Sequence, residues 1–402
     1  MSDLSLSDAK LTASAAAAPV ALTLRIDVQA DVVFDVDVSL DIVASTGTAP
    51  PLHWQLAAAG WDVSWLPRGS YEVHALAARL ALPEGRYWVD VALWHRVAGE
   101  ALKAGQVRLE LVVGTAAPGA MEFSWQLHSL PGTPPIDRLS WRAGPQGWFF
   151  KHFDHAARTT ASYLLGDSPL LKGRILDVGC GDGITDLGIA LRWRPTELVG
   201  IDPFRGYERL PQVLAQTALA GLPMPPGLRF LAASANDIPF ADDYFDVVIS
   251  WGSLEHIVGG YAQALAQIRR VLRPGGLLMV HPGLFYSDIG NHLGEFRFAR
   301  DEPYVHLKHP HSWLREQVLR GDIERIDRCG DDATPEQYWQ WFTELNPITV
   351  TAFERELREL GFEPWRVALR THDRVEYTPQ LQGYSFVDLA VGELYVSAWN
   401  RK

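Results

Sequence analysis

The residues best suited to chemistry begin at Ile175. Ile175-Leu176-Asp177-Val178-Gly179-Cys180-Gly181-Asp182-Gly183 leads from an apolar stretch into a glycine-dense turn. Such glycines permit positive φ and let the backbone approach a ligand closely. The N–H groups that open the following helix favour an anionic group. The spacing is Gly-x-Gly-x-Gly rather than Gly-x-Gly-x-x-Gly, which argues against a dinucleotide, and the chain holds no Gly-x-x-x-x-Gly-Lys-Ser/Thr loop. A carboxylate follows in Val199-Gly200-Ile201-Asp202-Pro203, 25 residues after Asp177. At the end of a strand it can accept both hydroxyls of a ribose. Taken singly, the turn also fits a plain βα connection, and the acid a turn or helix cap. Histidines at 281, 292 and 306 add side chains that can take a proton near pH 7.

These groups need elements to position them. From about Phe149 strand and helix patterns alternate, which predicts a doubly wound α/β sheet. Strands are expected over 173–178, 197–201, 245–250 and 277–281, helices over 184–192, 261–272 and 349–360, and closing strands over 365–369 and 394–400. Residues 284–345 are rich in aromatic, histidine and charged residues without strand periodicity, and are expected to form a cap. Ahead of them, Leu22–Val28, Phe34–Ile42, Tyr87–Leu93 and Val107–Val113 alternate apolar with polar residues, as half-buried antiparallel strands do. These predict an all-β sandwich over 20–114, a disordered leader over 1–19 and a Gly/Pro-rich linker over 115–148.

A chain of 402 residues exceeds one ordinary core. Its net charge of −12 argues against a nucleic-acid backbone or an anionic membrane as partner. Two cysteines, Cys180 and Cys329, cannot make a disulfide framework, which fits a reducing cytoplasm. No apolar run reaches the ~18 residues of a transmembrane helix.

Further motifs follow the glycine turn in order: Asn236-Asp237-Ile238-Pro239-Phe240, Tyr244 to Ser250, Leu254-Glu255-His256-Ile257, and Leu272-Arg273-Pro274-Gly275-Gly276. With them the segment resembles the class I S-adenosylmethionine-dependent methyltransferases, close to their type 11 branch. The likeness runs from Phe149 to His281 and more loosely through the closing strands. It implies a seven-stranded Rossmann-like domain with S-adenosylmethionine as cofactor. It also implies that Asp177, Gly179, Gly181 and Gly183 flank the methionine moiety, and that Asp202, followed by Pro203, holds the ribose. Ala235, Asn236 and Asp237 would contact adenine, and Ser250 and Trp251 would stand beside the sulfonium. Ser234 departs from the pattern, because the family often places an acid there for the adenine amino group.

The run Phe285 to Leu293 would hang over the carboxyl ends of the strands. It resembles a Gly-His-His-Leu-like segment of some sugar- and polysaccharide-associated methyltransferases, with Asn291 in place of the first histidine. His292 is the first candidate for the base that deprotonates an acceptor hydroxyl, Asp288 orients or replaces it, and His306 is next. His281, Tyr286 and Asn291 are expected to bind acceptor. Histidines in an aromatic cap also serve packing, and Glu255-His256 reads as packing beside the cofactor. The spacing of His281, His292 and His306 matches no common ligand pattern, so no metal is expected.

In the first region, Leu80 to Leu93 resembles the carbohydrate-binding domain of O-antigen ABC-transporter ATPases through its Pro-x-Gly-x-Tyr strand. Trp54, Trp61, Trp65, Trp88 and Trp94 could stack on sugar rings or simply fill a core. The combined expectation is a cytoplasmic O-methyltransferase of a sugar hydroxyl on a bacterial surface glycan or its precursor. The alternatives are a small-molecule methyltransferase and a non-catalytic glycan-binding protein. The oligomeric state stays open, a homo-oligomer included.

Overall fold

The computed structural model describes the chain except residues 1–2, 14–19, 47–51, 56–62, 80–81, 115–121, 135–146 and 324–332. It divides into two compact units: Met1–Phe150 with Gln212–Pro223, and Lys151–Pro211 with Met224–Lys402.

The first unit is one seven-stranded antiparallel sheet built on β2 (Val20–Ala44). Val20–Val28 of β2 pairs with β1 (Leu4–Ala13) and β4 (Trp65–Arg79). Its later half pairs with β3 (Leu52–Gln55) and β5 (Gly85–Val97). Then β6 (Glu100–Val113) extends from β5, and β7 (Glu122–Ser129) from β4. The register of β2 shifts between Val28 and Val32 and again between Phe34 and Asp37, and Asp35 has φ 48°. Such irregularities bend a strand and let it change partners. Leu22, Leu24, Ile26, Val38, Leu40 and Ile42 all enter one buried cluster with Tyr71, Val73, Val89 and Val91.

All four alternating runs are strands, the first two fused into β2. Two expectations fail. Most of the supposed disordered leader is β1, whose Leu4 is fully buried. Its Leu4-Ser5-Leu6-Ser7 alternation carries a strand signal that the neighbouring Ala-rich composition masks. Likewise the supposed linker contains β7, because Phe123-Ser124-Trp125-Gln126-Leu127 alternates among its prolines. The Pro-x-Gly-x-Tyr feature occurs twice, at Pro67–Tyr71 and Pro83–Tyr87. In each copy the tyrosine hydroxyl donates to the proline carbonyl, at 2.8 Å.

In the second unit the sheet order is β10-β9-β8-β11-β12-β14-β13. The strands β8 (Arg174–Val178), β9 (Glu197–Ile201), β10 (Leu228–Leu231), β11 (Phe245–Trp251) and β12 (Leu272–His281) are parallel. β14 (Val391–Asn400) runs antiparallel to β12 and to β13 (Phe362–Thr371). Among the described residues every expected strand and helix of this unit is present, and of the strands only four-residue β10 had no expectation. All the parallel strands end on one edge, where open α/β sheets bind ligands. The described part of the cap, 284–323 and 333–345, contains short helices and its own buried cluster of Leu293, Phe296, Val305, Leu314, Val318, Tyr338 and Phe342. Among the described residues no helix is long and apolar enough to cross a membrane.

Candidate active site

The turn after β8 is held by backbone. The N–H groups of Gly179 and Cys180 both donate to the Ile201 carbonyl, at 2.8 and 3.1 Å. Gly179, Gly181 and Gly183 have φ of 79°, 54° and 74°, which side-chain-bearing residues rarely adopt. Their surroundings differ. A Cβ on Gly179 would lie 2.3 Å from Ser253 Cβ, and one on Gly183 would lie 2.6 Å from Phe230. A Cβ on Gly181 would meet nothing within 4 Å, so the middle of the turn faces open space. Gly183 caps the helix Ile184–Trp193, as the sequence requires.

Asp202 lies just past β9, where its Oδ2 accepts from Gly181 N–H (3.2 Å) and its Oδ1 from Phe204 N–H (2.7 Å). Burial raises its pKa, and those N–H bonds oppose the rise. Pro203 follows on the exposed side. Beneath the turn, Asp177 and Asp186 are both buried, and Asp177 Oδ1 and both oxygens of Asp186 lack a hydrogen-bond donor. Burial pushes Asp177 up to about 7, and burial and the nearby Asp177 push Asp186 upward too. Two facing carboxyls here share a proton rather than two charges. Asp186 carried no sequence signal, because an acid one turn into a helix is ordinary.

On the far side of β10, Ser234 Oγ accepts from Asn236 N–H at 3.2 Å. Asn236 Nδ2 donates to the Val258 carbonyl (3.0 Å), and Asp237 N–H donates to the Ser234 carbonyl. Ala235, Asn236 and Asp237 thus form a closed turn past the β10 end. Ser250 departs from its expected place, since its buried hydroxyl donates to the Val178 carbonyl at 2.9 Å and points into the sheet. Trp251 stands edge-on to His281, 4.8 Å between centroids.

The acceptor-side expectations need correction at several points. His306 is buried, with Nε2 2.7 Å from the Phe285 carbonyl and Nδ1 3.3 Å from Asn291 Nδ2. Both ring nitrogens are engaged, and burial pushes its pKa down to about 4, so it braces the cap and has no nitrogen left for a reacting hydroxyl. Asn291 is buried too and caps Leu293 N–H through Oδ1 at 2.7 Å, which removes it from acceptor contact. Asp288 faces His372 (Oδ1 to Nε2, 3.1 Å), where the sequence placed His292. His281 is fixed by Nδ1 on the Leu394 carbonyl (3.0 Å) and stacks on Tyr395, with centroids 4.2 Å apart. Burial holds its pKa below the usual histidine value. Tyr286 packs against Phe285 and Tyr384.

His292, the first candidate base, has polar neighbours from another element. Its Nδ1 lies 3.1 Å from His256 Nε2, and its Nε2 lies 3.9 Å from Glu255 Oε1. The no-metal expectation weighed His281, His292 and His306, which do not come together. Among the described residues one set does bring three potential ligand atoms within 4.8 Å of one another: Glu255, His256 and His292. Spacing along the chain misses it because two members follow β11 and the third comes from the cap. Ser253 ties this cluster to the glycine turn, its Oγ donating to the Gly179 carbonyl at 2.8 Å. Asn346, without a sequence signal, fastens the same turn through Nδ2 to the carbonyls of Leu254 and Ile257, both at 2.9 Å.

Comparison with known proteins bears on the sheet domain that carries these residues. Residues 176–280 match the methyltransferase domain family model. A fatty-acid O-methyltransferase of Mycolicibacterium smegmatis is 28% identical over 189 residues, covering 46% of this chain and 63% of that protein. A ubiquinone/menaquinone biosynthesis C-methyltransferase of Geotalea daltonii is 37% identical over 141 residues, 33% of this chain and 56% of that one. The structure of a geranyl diphosphate methyltransferase solved with SAM aligns at 13% identity with a TM-score of 0.38, covering 61% of this chain and 84% of that chain. The chain spans roughly half the length of the curated relatives it matches, 63% and 56% in these two.

Proposed function

We propose that the protein is an S-adenosylmethionine-dependent O-methyltransferase. The observation that carries this is the pairing of an open glycine turn with Asp202 at the carboxyl edge of the sheet. The cofactor fits these residues. Gly181 leaves room at the turn, and a cationic amino group nearby would offset the charge that the buried Asp177–Asp186 pair cannot otherwise carry. Asp202 would hold the ribose, and the Ala235–Asp237 turn the adenine. When bound, S-adenosylmethionine supplies an electrophilic methyl group on a sulfonium centre.

The chain's own part is to bring an acceptor oxygen to that methyl group and to remove its proton. The Glu255–His256–His292 cluster is the place for it. It lies one turn from Ser253, and Ser253 touches the cofactor turn. Trp251, His281 and Tyr395 form an aromatic wall along the same edge that shields the reacting groups from water.

For the acceptor we propose a sugar hydroxyl of a glycan or its lipid-linked precursor. The first unit supports this with its two Pro-x-Gly-x-Tyr corners and with Trp88, 38% exposed on β5. The other tryptophans support it less. Trp65 is buried, Trp54 packs on the core and Trp94 donates to Ser39; Trp61 lies outside the described residues. Exposed Val258 and Ile289, next to His256 and His292 in sequence, support an acceptor with an apolar portion. That same rim is the observation behind a second reading, a small lipid-like acceptor. Purified protein with methyl-labelled cofactor, offered glycans, lipid-linked sugars and free fatty acids or quinols, decides between them. Label in the last group alone rejects the glycan, and label in none rejects methyl transfer to these classes.

A further inference from the structure

We propose that Glu255, His256 and His292 bind a divalent cation of the zinc or manganese type. The three side chains converge: His256 Nε2 lies 3.1 Å from His292 Nδ1 and 3.9 Å from Glu255 Oε1, while His292 approaches Glu255 Oε1 at 3.9 Å through its other nitrogen, Nε2. With one ligand atom taken from each residue, all three lie within 4.8 Å of one another. Ligand bonds of about 2.0–2.2 Å place neighbouring donor atoms about 3–3.5 Å from one another, a spacing the two histidines already have and the carboxylate reaches by a small inward shift. A separation of 3.9 Å is too long for a hydrogen bond, so Glu255 Oε1 is not committed to either imidazole. Two histidines and one carboxylate on one side of a cation also leave coordination positions open on the other.

The surroundings orient these atoms as supporting residues do at a metal. Glu255 is 3% exposed. Its Oε2 accepts from Gly283 N–H at 2.9 Å, which leaves Oε1 on the histidine side. Gly283 has to be small, since a Cβ there would sit 2.6 Å from Glu255 Cδ. Asn346 N–H donates to the Glu255 carbonyl at 2.8 Å, and its side chain clamps both flanking carbonyls. His292 has φ 53°, a conformation uncommon for a residue with a side chain, and it directs the imidazole back to His256. The two imidazoles are 40% and 32% exposed, so an ion can enter from solvent.

Such an ion binds the acceptor hydroxyl at an open position and lowers its pKa, so its proton leaves to water. This role rests on the methyltransferase reading above, whereas cation binding itself does not. The test uses the full chain after chelator treatment, titrated with Co2+ and followed by visible absorption and calorimetry. The expected result is one Co2+ per chain, displaced by Zn2+. His256→Ala, His292→Ala and Glu255→Gln should each lower its affinity at least tenfold, and His309→Ala should not. Absence of a stoichiometric Co2+, or binding that survives both histidine substitutions, overturns the proposal. Should Glu255→Gln fail to fold, the two half-exposed histidines decide. S-adenosylhomocysteine binding is measured on the same proteins. Its absence with Co2+ retained would sink the cofactor assignment and leave the cation site standing. The converse would sink only the site.

Discussion

The two halves of the methyltransferase site are built from different material. The cofactor half is backbone: three glycines at positive φ, N–H groups gathered on Ile201 and Asp202, and a helix beginning at Ile184. The proposed acceptor half is side chains brought from separate elements, with Glu255 and His256 following β11, His292 in the cap and Asn346 beyond it. A backbone site tolerates few residue types and is rigid. A side-chain site can be rebuilt by exchanging one loop. The first should therefore fail abruptly when altered, and the second by degrees.

The largest effect is expected at the glycine turn. Gly179→Ala forces a Cβ to within 2.3 Å of Ser253 at positive φ, and should abolish detectable S-adenosylhomocysteine binding in calorimetry. Normal affinity in that variant would break the contrast at once. Next, His292→Ala should cut turnover about 10²–10³-fold while cofactor affinity stays within twofold, since losing a member of the acceptor-side cluster affects the chemical step and not the cofactor turn. Asp202→Ala should weaken cofactor binding about 10–100-fold through a lost charged hydrogen bond, about 1.5–3 kcal/mol. Its Co2+ affinity should not move.

A smaller effect concerns pH. Asp177 is raised from 3.8 to about 7, so between those values the folded state holds a proton that the unfolded state has lost. Stability from this group is full below pH ~4 and declines as pH rises through about 7. The difference in melting temperature between wild type and Asp177→Asn should shift in favour of the variant over that window, read by calorimetry without ligand. A flat difference would mean that Asp186 carries the shared proton alone. Smallest of all, Trp88→Ala should reduce glycan retention by about 1 kcal/mol with cofactor affinity unchanged. No loss of retention would remove Trp88 from the recognition surface.

Legibility in the sequence follows the same division. Strands β8, β9, β11 and β12 and the glycine turn were readable because local periodicity and a short motif encode them. Asp202 was readable because its distance from the turn is set by one strand–helix–strand unit. The acceptor cluster was only half readable. His292 stood out, but its partners depend on how the cap folds back, which no local pattern records. His306 and Asn291 misled for the same reason, since a buried brace and a reacting group have the same one-letter code. In the first unit, β1 and β7 hid because a neighbouring composition drowned a short alternation.

One detail of the cap has a practical meaning. Phe285 N–H donates to the Ile348 carbonyl at 3.3 Å, so the insertion leaves and re-enters the sheet domain at nearly the same place. Its helices have a core of their own. The segment between is therefore an insertion that interrupts no strand, but it is pinned a second time, by Tyr304 Oη donating to the Leu389 carbonyl at 2.8 Å and by Asp288 facing His372, and a replacement would have to match both anchors. Such an exchange would replace His292 and leave Glu255, His256 and the glycine turn in place.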